Sequence, residues 1–304
     1  MTDAVPPGLT LGPVLFLWDA DTWRDFYFRI ADEAEVDTVV VGEVVCSKRQ
    51  HFHADVTEAV IERLRSAGKT VRLASLALVT LERERQASRR LAEQAGLELE
   101  VNELGLLGFL DGRPHAIGPL VNVYNAATER VLAARGATTI CLPPELPLAS
   151  IAAIAPAVPE LAFEVFAFGR VPLTISARCA HARVKGRTKD QCQFVCGEDP
   201  DGLPVDTLDN QPFLALNGVQ TMSSTCQALV GDMPALLRAG AARFRLSPQR
   251  CDMVAVAAVF DAVARGRMAP DEGMRALAAI YPGQQFSNGF LHGEPGHRLA
   301  RIPA

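Results

Sequence analysis

Three cysteines, Cys179, Cys192 and Cys196, stand within one short basic stretch, Arg178-Cys-Ala-His-Ala-Arg-Val-Lys-Gly-Arg-Thr-Lys-Asp-Gln-Cys-Gln-Phe-Val-Cys196. Cys192 and Cys196 are four apart, so a helical turn would carry both thiols on one face, and Cys179 returns to them across a twelve-residue loop. Thiolates are soft donors, which suits zinc or an iron-sulfur cluster and neither calcium nor magnesium. Buried cysteine also serves as a small hydrophobe, but the polar and basic neighbours make this a poor stretch for core packing.

A four-thiolate site needs one more ligand, and Cys46, Cys141, Cys226 and Cys251 are available. Cys141 lies in the apolar run Thr-Thr-Ile-Cys-Leu and Cys251 opens an apolar helix, so both read as structural. Cys46 follows an apparent strand end, and Cys226 follows the insertion that the cysteine stretch opens. Position favours Cys46 and leaves Cys226 as its rival. Arg183, Lys185, Arg187 and Lys189 form either a solvated surface loop or a counter-charge for a thiolate-bound group, whose net charge is negative. His51 and His53 read as a surface pair near a helix start. The chain contains no Gly-x-Ser-x-Gly elbow, His-Glu-x-x-His motif or Walker loop.

The elements that must position these residues alternate. Apolar runs at 11–18, 37–45, 70–78, 117–124, 137–142, 161–168 and 242–246 read as strands, with one or two more inside 98–110. Helical spacing appears at 21–32, 54–67, 83–95, 125–135, 147–156, 233–238, 248–264 and 271–280, several of these closed by glycine. Arg170–Ala177 continues extended, and residues 197–226 break the rhythm with a hairpin at 213–216 and 219–222. The tail from Pro282 reads as irregular. Strands alternating with helices predict a parallel α/β sheet, here a (β/α)8 TIM-like barrel, possibly distorted. An open doubly wound sheet is the alternative, but no Gly-x-Gly-x-x-Gly follows the first strand. The expected organisation is one barrel-like domain over 1–304 with an insertion at about 178–228. In a barrel, Glu43 and Cys46, Asn102 and Glu103, Asn122 and Asn125, and Arg178 and Cys179 would gather at the strand carboxyl ends. Whether Glu43, Glu103 or Glu164 forms an acid-base pair depends on distances that a sequence does not carry.

The 304 residues include 49% hydrophobic and 21% charged side chains, the balance of a globular chain. A net charge of -5 argues against sequence-independent nucleic-acid binding. The first residues lack a basic region followed by an apolar run, no apolar stretch is long enough to span a membrane, and seven cysteines suit metal binding in a reducing compartment better than disulfides. A cytoplasmic location is expected.

Glu164-Val-Phe-Ala-Phe-Gly169 is similar to the opening of the signature of the collagenase-like peptidase family of unknown catalytic type. Ser176–Cys179, Lys189–Cys196, Gly42–Arg49 and Asn122–Asn125 resemble the ubiquinone-biosynthesis accessory branch of that family. The resemblance implies a barrel-like fold and a [4Fe-4S] cluster on Cys46, Cys179, Cys192 and Cys196. It also implies a heterodimer with the related protein UbiU, the lipid-binding accessory protein UbiT in the same system, and oxygen-independent hydroxylation of a ubiquinone precursor with prephenate as oxygen source. An RNA-modifying hydroxylase factor of the same family and a zinc-stabilised noncatalytic scaffold are the alternative functions. Arg170 stands where the peptidase signature has a small residue and Pro172 where it has cysteine, so proteolysis is not expected.

Overall fold

The computed structural model describes residues 6–94 and 96–300. The end of the helix expected over 83–95 and the first five residues lie outside that range.

Eight parallel strands close into a barrel: β1 (Gly8–Leu11), β2 (Thr38–Val41), β3 (Thr70–Ala74), β4 (Glu98–Val101), β5 (His115–Ile117), β6 (Ala137–Leu142), β7 (Ala162–Ile175) and, after three further strands, β11 (Arg243–Leu246). Each pairs with the next, and β11 pairs in parallel with both β7 and β1, which leaves no barrel edge. The expected (β/α)8 barrel is therefore present. Between β7 and β11 the chain adds β8 (Leu203–Asp206), β9 (Pro212–Asn217) and β10 (Gln220–Ala228), an antiparallel set laid against β7. A two-residue strand, β12 (Phe286–Ser287), pairs with β10.

The helices are α1 (Ala20–Glu33), α2 (Ala54–Ser66), α3 (Glu82–Ala92), α4 (Ala126–Ala134), α5 (Leu148–Ile154), α6 (Ala180–Val184), α7 (Met233–Arg238), α8 (Met253–Ala264) and α9 (Pro270–Ile280). Their starts follow from local chemistry. Asp19 accepts the Thr22 amide at 2.9 Å, Asn125 accepts that of Thr128 at 2.9 Å, and Asp252 accepts those of Val254 and Ala255. In α1 the residues Trp23, Tyr27, Ile30 and Ala31 form the buried stripe. β2 is Thr-Val-Val-Val and is buried throughout, as a strand covered on both faces should be.

The barrel interior is ionic. Arg245 on β11 donates to Glu164 on β7 at 2.8 Å and also to Glu100 on β4, across the axis. Arg72 on β3 donates to Glu98 at 2.8 Å and lies 4.0 Å from Glu164. Arg243 bonds Thr10 and Thr38 and approaches Glu164 to 3.8 Å. Glu164 is thus a partner of arginines that join the walls, and these ion pairs hold its carboxyl low despite complete burial.

Four strand expectations need correction. The apolar run 11–18 is mostly loop, because β1 ends at Leu11; Val14–Trp18 are buried under neighbouring chain rather than in the sheet. The strand expected over 70–78 stops at Ala74, and within 98–110 the single strand β4 agrees with the one or two expected, Leu104–Phe109 forming a 3-10 turn. The strand expected over 117–124 lies earlier, at His115–Ile117, because Pro119 starts a 3-10 turn and Asn122 takes φ 60°. The expected strand 37–45 stops at Val41, because Gly42 turns the chain at φ 127°.

Candidate functional site

The site is built at the carboxyl end of the barrel, where β2 and β7 release their loops. Gly42 is required there. A Cβ at this position would meet the Ala74 carbonyl oxygen at 3.1 Å, and φ 127° disfavours any side chain. Glu43 then sets the turn, its carboxylate accepting the Val45 amide at 2.7 Å and the Cys46 amide at 2.9 Å. Burial pushes the Glu43 carboxyl up, opposed by the charge of Arg49 and by these two amides. The Ser47 hydroxyl donates to Glu84 on α3 at 2.5 Å, and Glu84 also accepts the Thr80 and Leu81 amides, so the Cys46 loop is tied to the start of that helix.

β7 runs fourteen residues, six or seven of them barrel wall and the rest a platform for the antiparallel insertion. Cys179 follows directly and caps α6, its sulfur accepting the Ala182 amide at 3.4 Å. His181 locks this short helix: its ring is fully buried, with Nε2 2.9 Å from Asp199 and Nδ1 3.1 Å from the Leu216 carbonyl. The chain returns through Cys192 and then Gln193 and Phe194, two successive non-glycine residues at φ 49° and 55°, into a 3-10 turn holding Cys196. The helical turn expected between Cys192 and Cys196 is therefore absent. Consecutive left-handed side-chain residues cost energy that surrounding packing must supply. Phe194 obtains it from edge contacts with Phe52 and His51, at ring centroid distances of 4.7 and 5.3 Å.

Cys46, Cys179, Cys192 and Cys196 line one pocket, together with Lys48, Arg49, Lys189, Phe194 and Gly218. Arg49 is 1% exposed and donates to the Leu15 carbonyl at 3.0 Å and to Asn217 at 2.9 Å. Its Nε has no hydrogen-bond partner among the described residues. Gly218, at φ 64°, makes room for this guanidinium, since a Cβ there would stand 2.5 Å from Arg49 Nη2. Lys48 Nζ bonds the carbonyls of Lys189 and Asp190 and stands 3.7 Å from the Cys192 sulfur. Burial pushes the Cys46 and Cys179 thiols up, with the charge of Arg49 opposing it at both. Among the described residues no three His, Cys, Asp or Glu side chains are drawn together as a single metal ion would require.

The other candidates lie elsewhere. Cys226 is fully buried in β10 opposite Arg170 and Phe286, outside the pocket, and burial raises its thiol strongly. Cys141 packs in β6, and the half-buried Cys251 is pushed up to about 12 by burial. The expectation of a surface histidine pair fails at His53. That ring is 8% exposed, stacks on Trp23 at 4.7 Å and bonds the Trp18 carbonyl at 2.9 Å. Glu103 accepts the Gly105 amide beside it, and Asn125 is a helix cap. Arg170 ties β7 to the Ser223 and Ser224 carbonyls and approaches Asp201, while Pro172 sits opposite Met222 at a register shift; both positions are structural here. The sequence reading overlooked Arg49. A lone arginine in Ser-Lys-Arg-Gln looks like surface, and only the distant Leu15 and Asn217 reveal its burial.

The family profile described as peptidase family U32 matches residues 26–301. A crystal structure described as that of a putative dihydrodipicolinate synthase family protein from Coccidioides immitis aligns with 93% of this chain and 81% of its own, at 13% identity and a TM-score of 0.48.

Proposed function

Because the chain belongs to peptidase family U32, we propose that it is a UbiV-like iron-sulfur subunit of an oxygen-independent hydroxylation system in ubiquinone biosynthesis, with Cys46, Cys179, Cys192 and Cys196 holding one [4Fe-4S] cluster. One observation carries this reading. Four of the seven cysteines, from loops far apart in sequence, line a single pocket with a buried arginine. Four thiolates suit either a zinc ion, held at about 2.3 Å, or an iron-sulfur cluster, so metal analysis of the purified protein separates the two.

The surrounding groups suit an anionic, sulfur-rich occupant. Arg49 supplies a buried charge and a spare Nε donor, Lys48 stands beside Cys192, and the Ala182 amide meets Cys179. Each would stabilise thiolate over thiol. When bound, such a cluster takes up and releases single electrons. The protein's own part is to hold the four sulfurs, balance their charge and keep water out with Phe194 and Val195. The wider reading, resting on the sequence resemblance, adds a heterodimer with UbiU, the accessory protein UbiT, and a ubiquinone precursor hydroxylated with oxygen from prephenate.

The test is anaerobic purification with iron, sulfide and zinc analysis of the wild type, Cys46→Ala and Cys226→Ala. Brown protein with about four irons per chain, bleached by Cys46→Ala and not by Cys226→Ala, is the expected result. Colourless protein carrying zinc would sink the redox reading. In cells, deletion should abolish ubiquinone only during anaerobic growth; normal anaerobic levels would exclude the pathway assignment.

A further inference from the structure

Beside the thiol pocket lies an open cleft of about 570 Å³ whose lining is cationic. Lys48, Arg83, Arg178, Arg183, Arg187 and Lys189 contribute to it, against a single carboxylate, Asp190. In a chain of net charge -5, six cations converge here from three segments: the Cys46 loop, the start of α3 and the cysteine stretch. Arg24, Arg29, Arg63, Arg72, Arg245 and Arg265 all pair with carboxylates, while none of the six cleft cations makes a salt bridge among the described residues.

Three of the six are also free of side-chain hydrogen bonds among the described residues: Arg83, Arg178 and Arg183. The other three are engaged. Lys48 and Lys189 donate to backbone carbonyls and Arg187 to Gln193, so the cleft combines cations already hydrogen-bonded with unused guanidinium donors. A guanidinium offers five N–H groups in a planar fork that matches carboxylate and phosphate oxygens. Placing like charges together costs energy, and a bound polyanion would recover it. The cleft is open rather than enclosed, which leaves a nucleic-acid backbone as the rival occupant, and the chain's net charge of -5 disfavours that rival.

We infer that this cleft binds a small molecule carrying two or more carboxylate or phosphate groups, seated against Cys179, which lines both the cleft and the thiol pocket. An occupant would sit at the rim of the proposed redox centre. The inference stands without the cluster, because the cations belong to the protein whether or not iron is present.

The experiment is calorimetric titration of the full chain with citrate, malonate and pyrophosphate, before and after iron loading, in 50 and 200 mM salt. Saturable binding by at least one probe is expected, weakened several-fold by the higher salt and at least tenfold by the double substitution Arg178→Ala and Arg183→Ala. Preference among the probes separates a carboxylate from a phosphate ligand. Both arginines are exposed, so the variant should keep the wild-type melting temperature and iron content, and Arg65→Ala on the exposed face of α2 should bind as wild type. Absence of saturable binding by all three probes would overturn the inference, as would undiminished binding by the double variant. Tighter binding of an oligoribonucleotide that displaces citrate would overturn it in favour of a nucleic-acid contact. None of these failures would alter the iron analysis.

Discussion

Arg49 and Glu129 are both buried charges, with opposite consequences. Burial alone would lower the pKa of Arg49, but Glu43 and the nearby Cys196 and Cys46 together outweigh it and hold the guanidinium charged. Arg49→Met should remove charge-assisted hydrogen bonds to Leu15 and Asn217, costing ~2–4 kcal/mol in urea unfolding, and should lower iron content where Arg63→Met does not. Glu129 on α4 is fully enclosed, and neither carboxylate oxygen has a partner among the described residues. Burial pushes its pKa up to about 7. Below its unfolded value of 4.5 both states are protonated and it has no effect. Between there and about 7 only the unfolded state ionises, so stability falls as pH rises and then levels off. Glu129→Gln should therefore stabilise by ~2 kcal/mol at pH 8 and by almost nothing at pH 4, measured by urea unfolding at the two pH values. No use for this carboxyl is visible in the geometry around it.

At the scale of elements, the Cys46 loop is held by Gly42 below and Glu84 beside it. Gly42→Ala forces a side chain into φ 127° against the Ala74 carbonyl and should cost ~1–3 kcal/mol, while leaving the secondary structure content unchanged by circular dichroism. Burial alone would raise the Glu84 carboxyl, but hydrogen bonds from Ser47, Thr80 and Leu81 win and hold it below its ordinary 4.5. Its contribution is thus present above pH 4.5 and lost as pH falls through the lowered folded value. Glu84→Gln should flatten that part of the acid unfolding curve. Helices were legible almost to the residue at α1, α2, α7 and α9, since capping residues and apolar stripes are local signals. Strand limits were less so. Val14–Trp18 is as apolar as any strand because the insertion covers it, and burial leaves the same mark in sequence whether the backbone pairs or not. The grouping of three cysteines could be read from spacing, and the company of Cys46 from the strand-end rule. The route between Cys192 and Cys196 could not, because left-handed Gln193 and Phe194 are sustained by Phe52 and His51, remote in sequence.

For the whole molecule, the ionic barrel axis is the feature that hydrophobic patterning conceals. Arg245, Glu164 and Glu100 look like exposed alternation on their strands, yet they meet inside. Arg245→Met should leave the buried Glu100 without its arginine partner and Glu164 with only the more distant Arg72 and Arg243, and cost ~3–5 kcal/mol in denaturant unfolding. Adding Glu164→Gln and Glu100→Gln should recover a large part of that loss, because the cost lies in stranded charge rather than in missing contacts. Among the described residues no helix is long and apolar enough to cross a membrane.

β7 belongs at once to the barrel wall and to the antiparallel insertion. A strand shared in this way acts as a beam: the platform carrying Cys179 cannot tilt without bending the stave that closes the cylinder. Opening of the thiol pocket then falls to the other side, the segment from Thr188 to Phe194, where among the described residues the only hydrogen-bonded backbone amide is that of Gln191, to the Thr188 hydroxyl. Amide exchange should be slow along the whole of β7 and fast in that segment, so that traffic into the pocket passes through a door hinged on one jamb.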